Sequence, residues 1–305
     1  MRKIHNSVHL RNSILYCILL PLLLLVILLS CLQYNYYHFT TPEGFVCTLD
    51  TKTKTATIIK YTGKTDEIVI PSTVRNYGTD YSVSHIQSEA FSYSSVRKVT
   101  FPAGPVEIGP SLFRGCTNLE TVVIPHGAVT TIPSDSFYCC TALTFVSLPD
   151  SLKIIDIGAF AGCKSLTEIQ LPASLHTIRE NAFASTNLQK IILPDSLRFL
   201  GAEAFQNCRM LKSVTIPQKV TFISEETFSG CTSLQQVVLY HTLRTINSKA
   251  FERCLALHTI DLPSQITQIA SDAFKACENL TLSVTKDSYA HIFAEENQLN
   301  YRILE

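Results

Sequence analysis

The stretch Ile155-Asp156-Ile157-Gly158-Ala159-Phe160-Ala161-Gly162-Cys163-Lys164-Ser165-Leu166-Thr167-Glu168-Ile169-Gln170-Leu171-Pro172 contains one full copy of the pattern that decides the fold. Ile155 is followed five residues later by Phe160, with Ala159 just before the ring. Cys163 comes three residues after the Phe, and Leu166 three after that. The alternation Ile169-Gln170-Leu171 predicts a short strand with two side chains inward and one outward. Pro172 has no N–H to give a strand ladder, so it ends the strand.

The unit returns along the whole chain. Phe91, Phe113, Phe137, Phe160, Phe183, Phe205, Phe228, Phe251 and Phe274 follow one another at 22 to 24 residues. Cys116, Cys140, Cys163, Cys208, Cys231, Cys254 and Cys277 share the period. The strand pair recurs as Val122/Ile124, Val146/Leu148, Ile191/Leu193, Val214/Ile216, Val237/Leu239 and Ile260/Leu262. Such self-similarity marks coils that cannot shield their own apolar face and must stack. Stacking predicts a parallel sheet with strands about 4.8 Å apart, so nine coils span roughly 43 Å. The Ala-Phe stretch is too short for a long helix and predicts a single helical or 3₁₀ turn. Each buried Phe contributes roughly 1.5–3 kcal/mol.

Irregular spacings are informative. The two 22-residue spacings begin at Phe91 and Phe183, whose coils lack the Cys. There the next aliphatic (Val96, Leu188) is five residues after the Phe; in the seven Cys-bearing coils it is six. The thiol therefore belongs to the longer loop, where a small side chain tucks inward. In the 24-residue spacing, Pro125 to Val129 is one residue longer than in other coils, and Gly127 can absorb the bend.

Four regions follow. Residues 1–33 are a signal or membrane-anchor segment and 34–85 a linker and N-terminal cap with strand-like stretches between about Phe45 and Ile70. Residues 86–279 form the solenoid of nine Ala-Phe turns, and 280–305 a C-terminal cap. In that last cap Asp287 or Ser288 is placed to start a helix over Tyr289 to Gln298, with Ile292 and Phe293 inward. Tyr301 to Leu304 adds a final strand.

The segment from Ile14 to Leu32 is nineteen residues without a charge, preceded by Arg2, Lys3 and Arg11. That length approaches the ~20 residues needed to cross a bilayer. Basic residues before it direct the remainder outward, and Tyr34, Tyr36 and Tyr37 suit a membrane interface. Three readings stand: an uncleaved signal-anchor helix, a cleaved signal peptide, or a lipoprotein signal. For the third, Leu28-Leu29-Ser30-Cys31 resembles a bacterial lipobox with Cys31 as the lipidated residue, although Leu29 occupies a place where a smaller residue is usual. All three put the chain on the outer face of the cell membrane or release it.

The unit of Ala-Phe, Cys, Leu, short strand and Pro resembles the BspA-like leucine-rich repeats over residues about 45–305. Thr55 to Gly63 and Ile70-Pro71-Ser72-Thr73-Val74 resemble that family's first cap; Ser288-Tyr289-Ala290 and Asn300-Tyr301-Arg302-Ile303 resemble its last. Tyr240 departs from the pattern where Pro is usual, and Pro105 replaces an aliphatic. The resemblance implies a solenoid of leucine-rich-repeat type, mainly β, with one short parallel strand and one short helical turn per coil and a small helical C-terminal cap. It also implies a surface protein of a host-associated microbe, with adhesion to matrix proteins or neighbouring cells in some members. It carries over no functional residues.

Chemistry-bearing patterns are sparse. Lys plus Arg and Asp plus Glu are 25 each, and a balanced chain lacks the clustered basic charge that nucleic acid requires. No C-x-x-C or H-E-x-x-H occurs, so no metal or cofactor is expected. Equivalent Cys on stacked coils sit about 4.8 Å apart, beyond disulfide reach, and are expected as buried thiols; Cys139 has no place in that ladder. Gly63-Lys64-Thr65 lacks the first Gly and the helix of a phosphate loop. The strand residues pointing away from the core form two columns on the expected concave sheet, and these are the candidate site. One column includes Phe145, Glu168 and Lys190; the other includes Val123, Gln170 and Ile192. Exposed Phe145, Val123 and Ile192 are costly on a solvated face, and solenoids bind through such faces. Two function classes remain, neither of them an enzyme. One is an adhesin-like module for a protein or glycan partner, such as host extracellular matrix or another cell surface. The other is a structural spacer without a specific ligand.

Overall fold

A computed structural model describes residues 23–26, which are helical, and 38–304. The reading of Ile14 to Leu32 and of Cys31 otherwise lies outside the described residues. Among those described, no helix is long and apolar enough to cross a membrane.

The chain is a solenoid whose coils stack through three rows of contacts. The first row is the expected face sheet. Glu67–Val69, Lys98–Thr100, Thr121–Val123 and Phe145–Ser147 pair in parallel. Further on, Ser213–Thr215 pairs with Gln236–Val238, and Thr259–Asp261 with Thr281–Thr285. The strands expected at Ile169–Leu171 and Ile191–Leu193 do not pair. Ile169 and Ile191 still point inward and Glu168, Gln170, Lys190 and Ile192 outward, so side-chain alternation outlives the ladder. Loop length is not the cause, because the short Phe91 coil pairs normally on both sides.

The second row corrects the expectation of one strand per coil. Thr131–Ile132, Ile154–Ile155, Thr177–Ile178 and Phe199–Leu200 form a parallel sheet, and Phe222–Ile223, Thr245–Ile246 and Gln268–Ile269 another. The aliphatic five residues before each Phe is the inward member of these two-residue strands. Two residues are too few to show alternation in sequence.

The third row runs through the expected short turns, whose N–H groups bond carbonyls three residues back, as Ala161 N does with Gly158 at 3.0 Å and Cys163 N with Phe160 at 3.2 Å. The residue two after each of the nine Phe (Tyr93, Gly115, Cys139, Gly162, Ser185, Asn207, Gly230, Arg253, Ala276) has a φ between +58° and +75°. A left-handed residue stops a helix within one turn, and it leaves backbone N–H groups facing the next coil. Phe160 N donates to the Ala182 carbonyl at 2.8 Å, and Gly162 N to the Ala184 carbonyl at 2.8 Å; other coils repeat this pair. Cys139 thus has a place: it stands at the left-handed position, half-buried.

Inside these rows run the rings. From Phe91 to Phe274 successive centroids lie 5.0 to 5.6 Å apart, within the range of offset-stacked pairs. The column continues into the N-terminal cap, where Tyr61 stacks on Phe91 at 5.5 Å and Phe45 tilts against Tyr61 at 5.3 Å. The cap therefore closes the core with aromatics of its own, and its strand Glu67–Val69 already belongs to the face sheet.

The seven ladder thiols are free, and each donates its S–H to the Phe carbonyl of the preceding coil at 2.9 to 3.3 Å. In the two coils without Cys, Ser94 and Thr186 stand at the same position and contact the next coil's thiol, at 3.4 Å from Cys116 and 3.2 Å from Cys208. Burial pushes Cys208 up to about 11. Cys47, in the N-terminal cap, is pushed up to about 12 for the same reason.

Gly127 takes φ +74° with open space around it, as the extra residue there requires. Tyr240 leaves its turn undisturbed: Leu243 N still bonds the Tyr240 carbonyl at 3.0 Å, as Ile266 N does with Pro263 at 3.1 Å. At the C-terminus Ser288 caps a helix, α1 (Tyr289–Glu296), accepting from His291 N. α1 buries Ala290, Phe293 and Ala294. Ile292, expected inward, is 48% exposed, because Ala294 rather than Ile292 completes the face with Phe293. Tyr301–Leu304 forms the expected final strand.

Candidate functional site

The outward residues of the face row form columns in register: Phe145 lies beside Thr121, and Ser147 beside Val123. Phe145 is 54% exposed and Ile192 68%. Val123 differs from expectation. It is half-buried, because its strand is paired on both sides and it sits between Thr100 and Ser147.

Hollows on this face lie where the ladder is interrupted. One, about 610 Å³, lies between the two unpaired coils and is lined by Glu168, Ile169, Gln170, Leu171, Ala173, Lys190, Ile192, Pro194, Asp195 and Ser196. A second of about 160 Å³ adjoins it across Glu168 and Gln170, with Phe145 and Ser147 on its other wall. A third, about 200 Å³, lies between Gln236–Val238 and Asp261, where the ladder breaks again. A paired strand closes the space between coils; an unpaired one leaves a cleft. Five of the six residues expected on the face thus border a depression made of these two adjoining hollows, and Val123 stands outside it.

The walls combine apolar and charged surface. Ile192, Leu171 and Pro194 supply the apolar part. Among the described residues, Glu168, Lys190 and Asp195 make no ion pair. Upstream the face neutralises itself, with Arg97 to Glu120 at 2.7 Å and Lys98 to Glu67 at 3.1 Å. The depression therefore has charges without partners and aliphatic surface beside them, which is the composition of a recognition site. Asp195, Ala173 and Ser196 were not marked by the strand pattern, because they belong to the turn after the Pro and line the cleft only where the strands part. Among the described residues no group of three or more His, Cys, Asp or Glu could hold a metal ion.

The sequence matches the family described as the BspA type leucine rich repeat region, in six copies, over residues 84–212 and 200–296. No curated protein matches it. Among solved structures it is similar to the leucine rich repeat protein of T. pallidum, at 24% identity and a TM-score of 0.51, covering 86% of this chain and 97% of that one. It is also similar to a leucine rich cell surface protein from Faecalibacterium prausnitzii, at 24% identity and a TM-score of 0.48, covering 88% and 95%. The first likeness supports the fold. With the family matched over more than two thirds of its length and the coils stacked as the repeat requires, the chain belongs to the BspA type leucine rich repeat family.

Proposed function

We propose that this protein is a non-catalytic binding module of the cell surface that recognises a protein or glycan partner through the depression between Phe145 and Ile192. One observation carries the reading: the face ladder opens at the coils whose outward residues are exposed Ile192 and the unpaired charges Glu168 and Lys190. Gln170 lines both adjoining hollows and would donate and accept hydrogen bonds to the bound partner; Val123 flanks the site. The apolar segment from Ile14 to Leu32 supports export and tethering, with Cys31 as the lipid attachment in one of its readings.

The test is capture of immobilised extracellular-matrix proteins and of a glycan array, comparing the wild-type chain with a Phe145→Ala, Ile192→Ser double variant. Expected is loss of capture with a melting temperature close to that of wild type, because both side chains lie mostly in solvent. Unchanged capture by the double variant removes the site. If the wild-type chain captures nothing, the structural-spacer reading replaces the binding one. Metabolic labelling with a lipid, with Cys31→Ala as the control, settles the anchor.

A further inference from the structure

The last sheet runs Thr259–Asp261, Thr281–Thr285, Tyr301–Leu304, so Tyr301–Leu304 is its edge, and all four residues of that strand are exposed. In a parallel ladder, alternate residues turn their N–H and C=O to the same side. Leu282 N bonds the Asn300 carbonyl at 2.8 Å in a register that sets Leu282 beside Tyr301. Arg302 therefore faces the ladder, and Tyr301 and Ile303 present their backbone groups to the other side, where no strand pairs among the described residues. Exposed edges are ordinarily blunted by Lys, Pro or a bulge, and this strand has none of them. Its one charge is held back on its own sheet: Arg302 Nε bonds Ser283 Oγ at 2.9 Å, and its guanidinium lies 3.8 Å from Asp261. Around the edge stand Tyr301, Ile303 and Leu304, with Tyr289 and Ile292 exposed on α1.

We propose that this strand pairs antiparallel with the same strand of a second copy, about a two-fold axis at Arg302. The register is self-complementary. With the axis there, Tyr301 of each copy lies opposite Ile303 of the other, and these are the residues whose N–H and C=O point outward. Each such pair exchanges both bonds, giving four backbone hydrogen bonds and two aromatic–aliphatic contacts of a kind that stabilises paired strands. The two Arg302 residues then face each other, which is a cost for like charges, but each brings its own Asp261, so the four groups sum to zero charge. A second copy satisfies register and charge together, as an isologous interface requires. A four-residue edge with five apolar side chains is smaller than the roughly 800 Å² per partner of a standard stable interface. The dimer is accordingly weak and forms where copies are concentrated. It uses no residue of the Phe145 to Ile192 depression and stands whether or not that site binds.

The test uses the full chain in detergent, with the N-terminal apolar segment kept in every variant so that its contribution is common to all. Residues facing themselves in a non-hydrogen-bonded antiparallel pair approach disulfide distance. Under mild oxidation Arg302→Cys should give several-fold more covalent dimer than wild type, whose own thiols set the baseline. Thr285→Cys, exposed on the inner strand, should give no more than that baseline. Equal dimer from Arg302→Cys and Thr285→Cys overturns the proposal. In sedimentation velocity the wild type should shift toward dimer with concentration, and Ile303→Lys, which puts charge on the edge, should abolish the shift while melting as wild type does. A wild type with no concentration-dependent shift, or an Ile303→Lys variant that shifts equally, overturns it as well.

Discussion

Replacing Phe205 by Ala tests whether stability resides in nearest-neighbour stacking. Phe205 is wholly buried between Phe183 at 5.4 Å and Phe228 at 5.6 Å, with interplanar angles of 3° and 1°. The cavity left by Ala cannot close, because each neighbouring coil is pinned by its own bonds: Phe183 N to Ala204 at 2.8 Å and Phe205 N to Thr227 at 2.9 Å. Truncating a buried Phe costs about 3–5 kcal/mol. The upper half of that range applies here, since two ring pairs of about 0.5–1.5 kcal/mol each are lost. Phe274 supplies the internal control. Among the described residues it has one ring neighbour, Phe251 at 5.6 Å, and it borders a hollow of about 330 Å³ at the array's end. Phe274→Ala should therefore cost about half as much, roughly 2 kcal/mol. Urea titration followed by circular dichroism reads both, from midpoint shifts at matched slopes. A Phe205→Ala loss below about 1 kcal/mol, or one no larger than that of Phe274→Ala, refutes the stacking account.

Other variants probe the remaining rows. A Cβ on Gly201 would sit 2.6 Å from the backbone of both Arg179 and Glu180, so Gly201→Ala should force two coils apart and cost about 1–3 kcal/mol, read by thermal melting. Arg253 holds φ +59°, and Arg253→Gly should raise stability by a few tenths to about 1 kcal/mol by removing that strain; a lowered melting temperature would count against the left-handed turn. Alkaline pH should weaken the fold. Cys208 and Cys47 rise from the ordinary 9.0 to about 11 and about 12 on burial, so the folded chain keeps protons that the unfolded chain gives up. Their contribution is whole below pH 9 and drains away as pH climbs through the two folded values. The melting temperature should fall across that window, less steeply in a Cys47→Ala, Cys208→Ala double variant, and parallel pH profiles would contradict this.

The repeat was legible because burial imposes a strict period: nine Phe and seven Cys recur where a ring must meet a ring and a thiol must meet a carbonyl. Two-residue strands such as Ile154–Ile155 marked only their inward residue, because alternation needs more length than that. The left-handed position was hidden for a different reason. Tyr93, Cys139, Asn207 and Arg253 all occupy it, and only some coils use the Gly that would have announced it. Tyr61 and Phe45 extend the ring column without an Ala-Phe signature, since a cap covers a neighbour on one side only. Of the face, Phe145, Glu168, Gln170, Lys190 and Ile192 could be placed by alternation. The cleft they border depends on which strands pair, and the parts of it that come from the Pro194 turn carried no periodic mark.

The three rows differ in what they leave free. Around Phe160 and Phe183 the face ladder is missing, yet the coils remain in register. The turn row holds them, with Phe183 N to Ala204 and Ser185 N to Gln206 at 2.8 and 2.7 Å. So does the second strand row through Ile155, Ile178 and Leu200, and so do the rings at 5.4 Å. Two rows and a ring column are enough to fix the stack, which releases the face residues from any structural duty beyond pointing outward. Exposed Ile192 and unpaired Lys190 can then vary with whatever the surface meets, at little cost to folding. A stability scan along the chain should show this directly. Substitutions at Glu168, Gln170, Lys190 and Ile192 should stay within about 0.5 kcal/mol of wild type, while the buried neighbours Ile169 and Ile191 should each cost about 2 kcal/mol or more on truncation to Ala. If the outward and inward residues of these coils lost stability equally, the unpaired strands would be supporting the fold, and a face free to specialise would not exist.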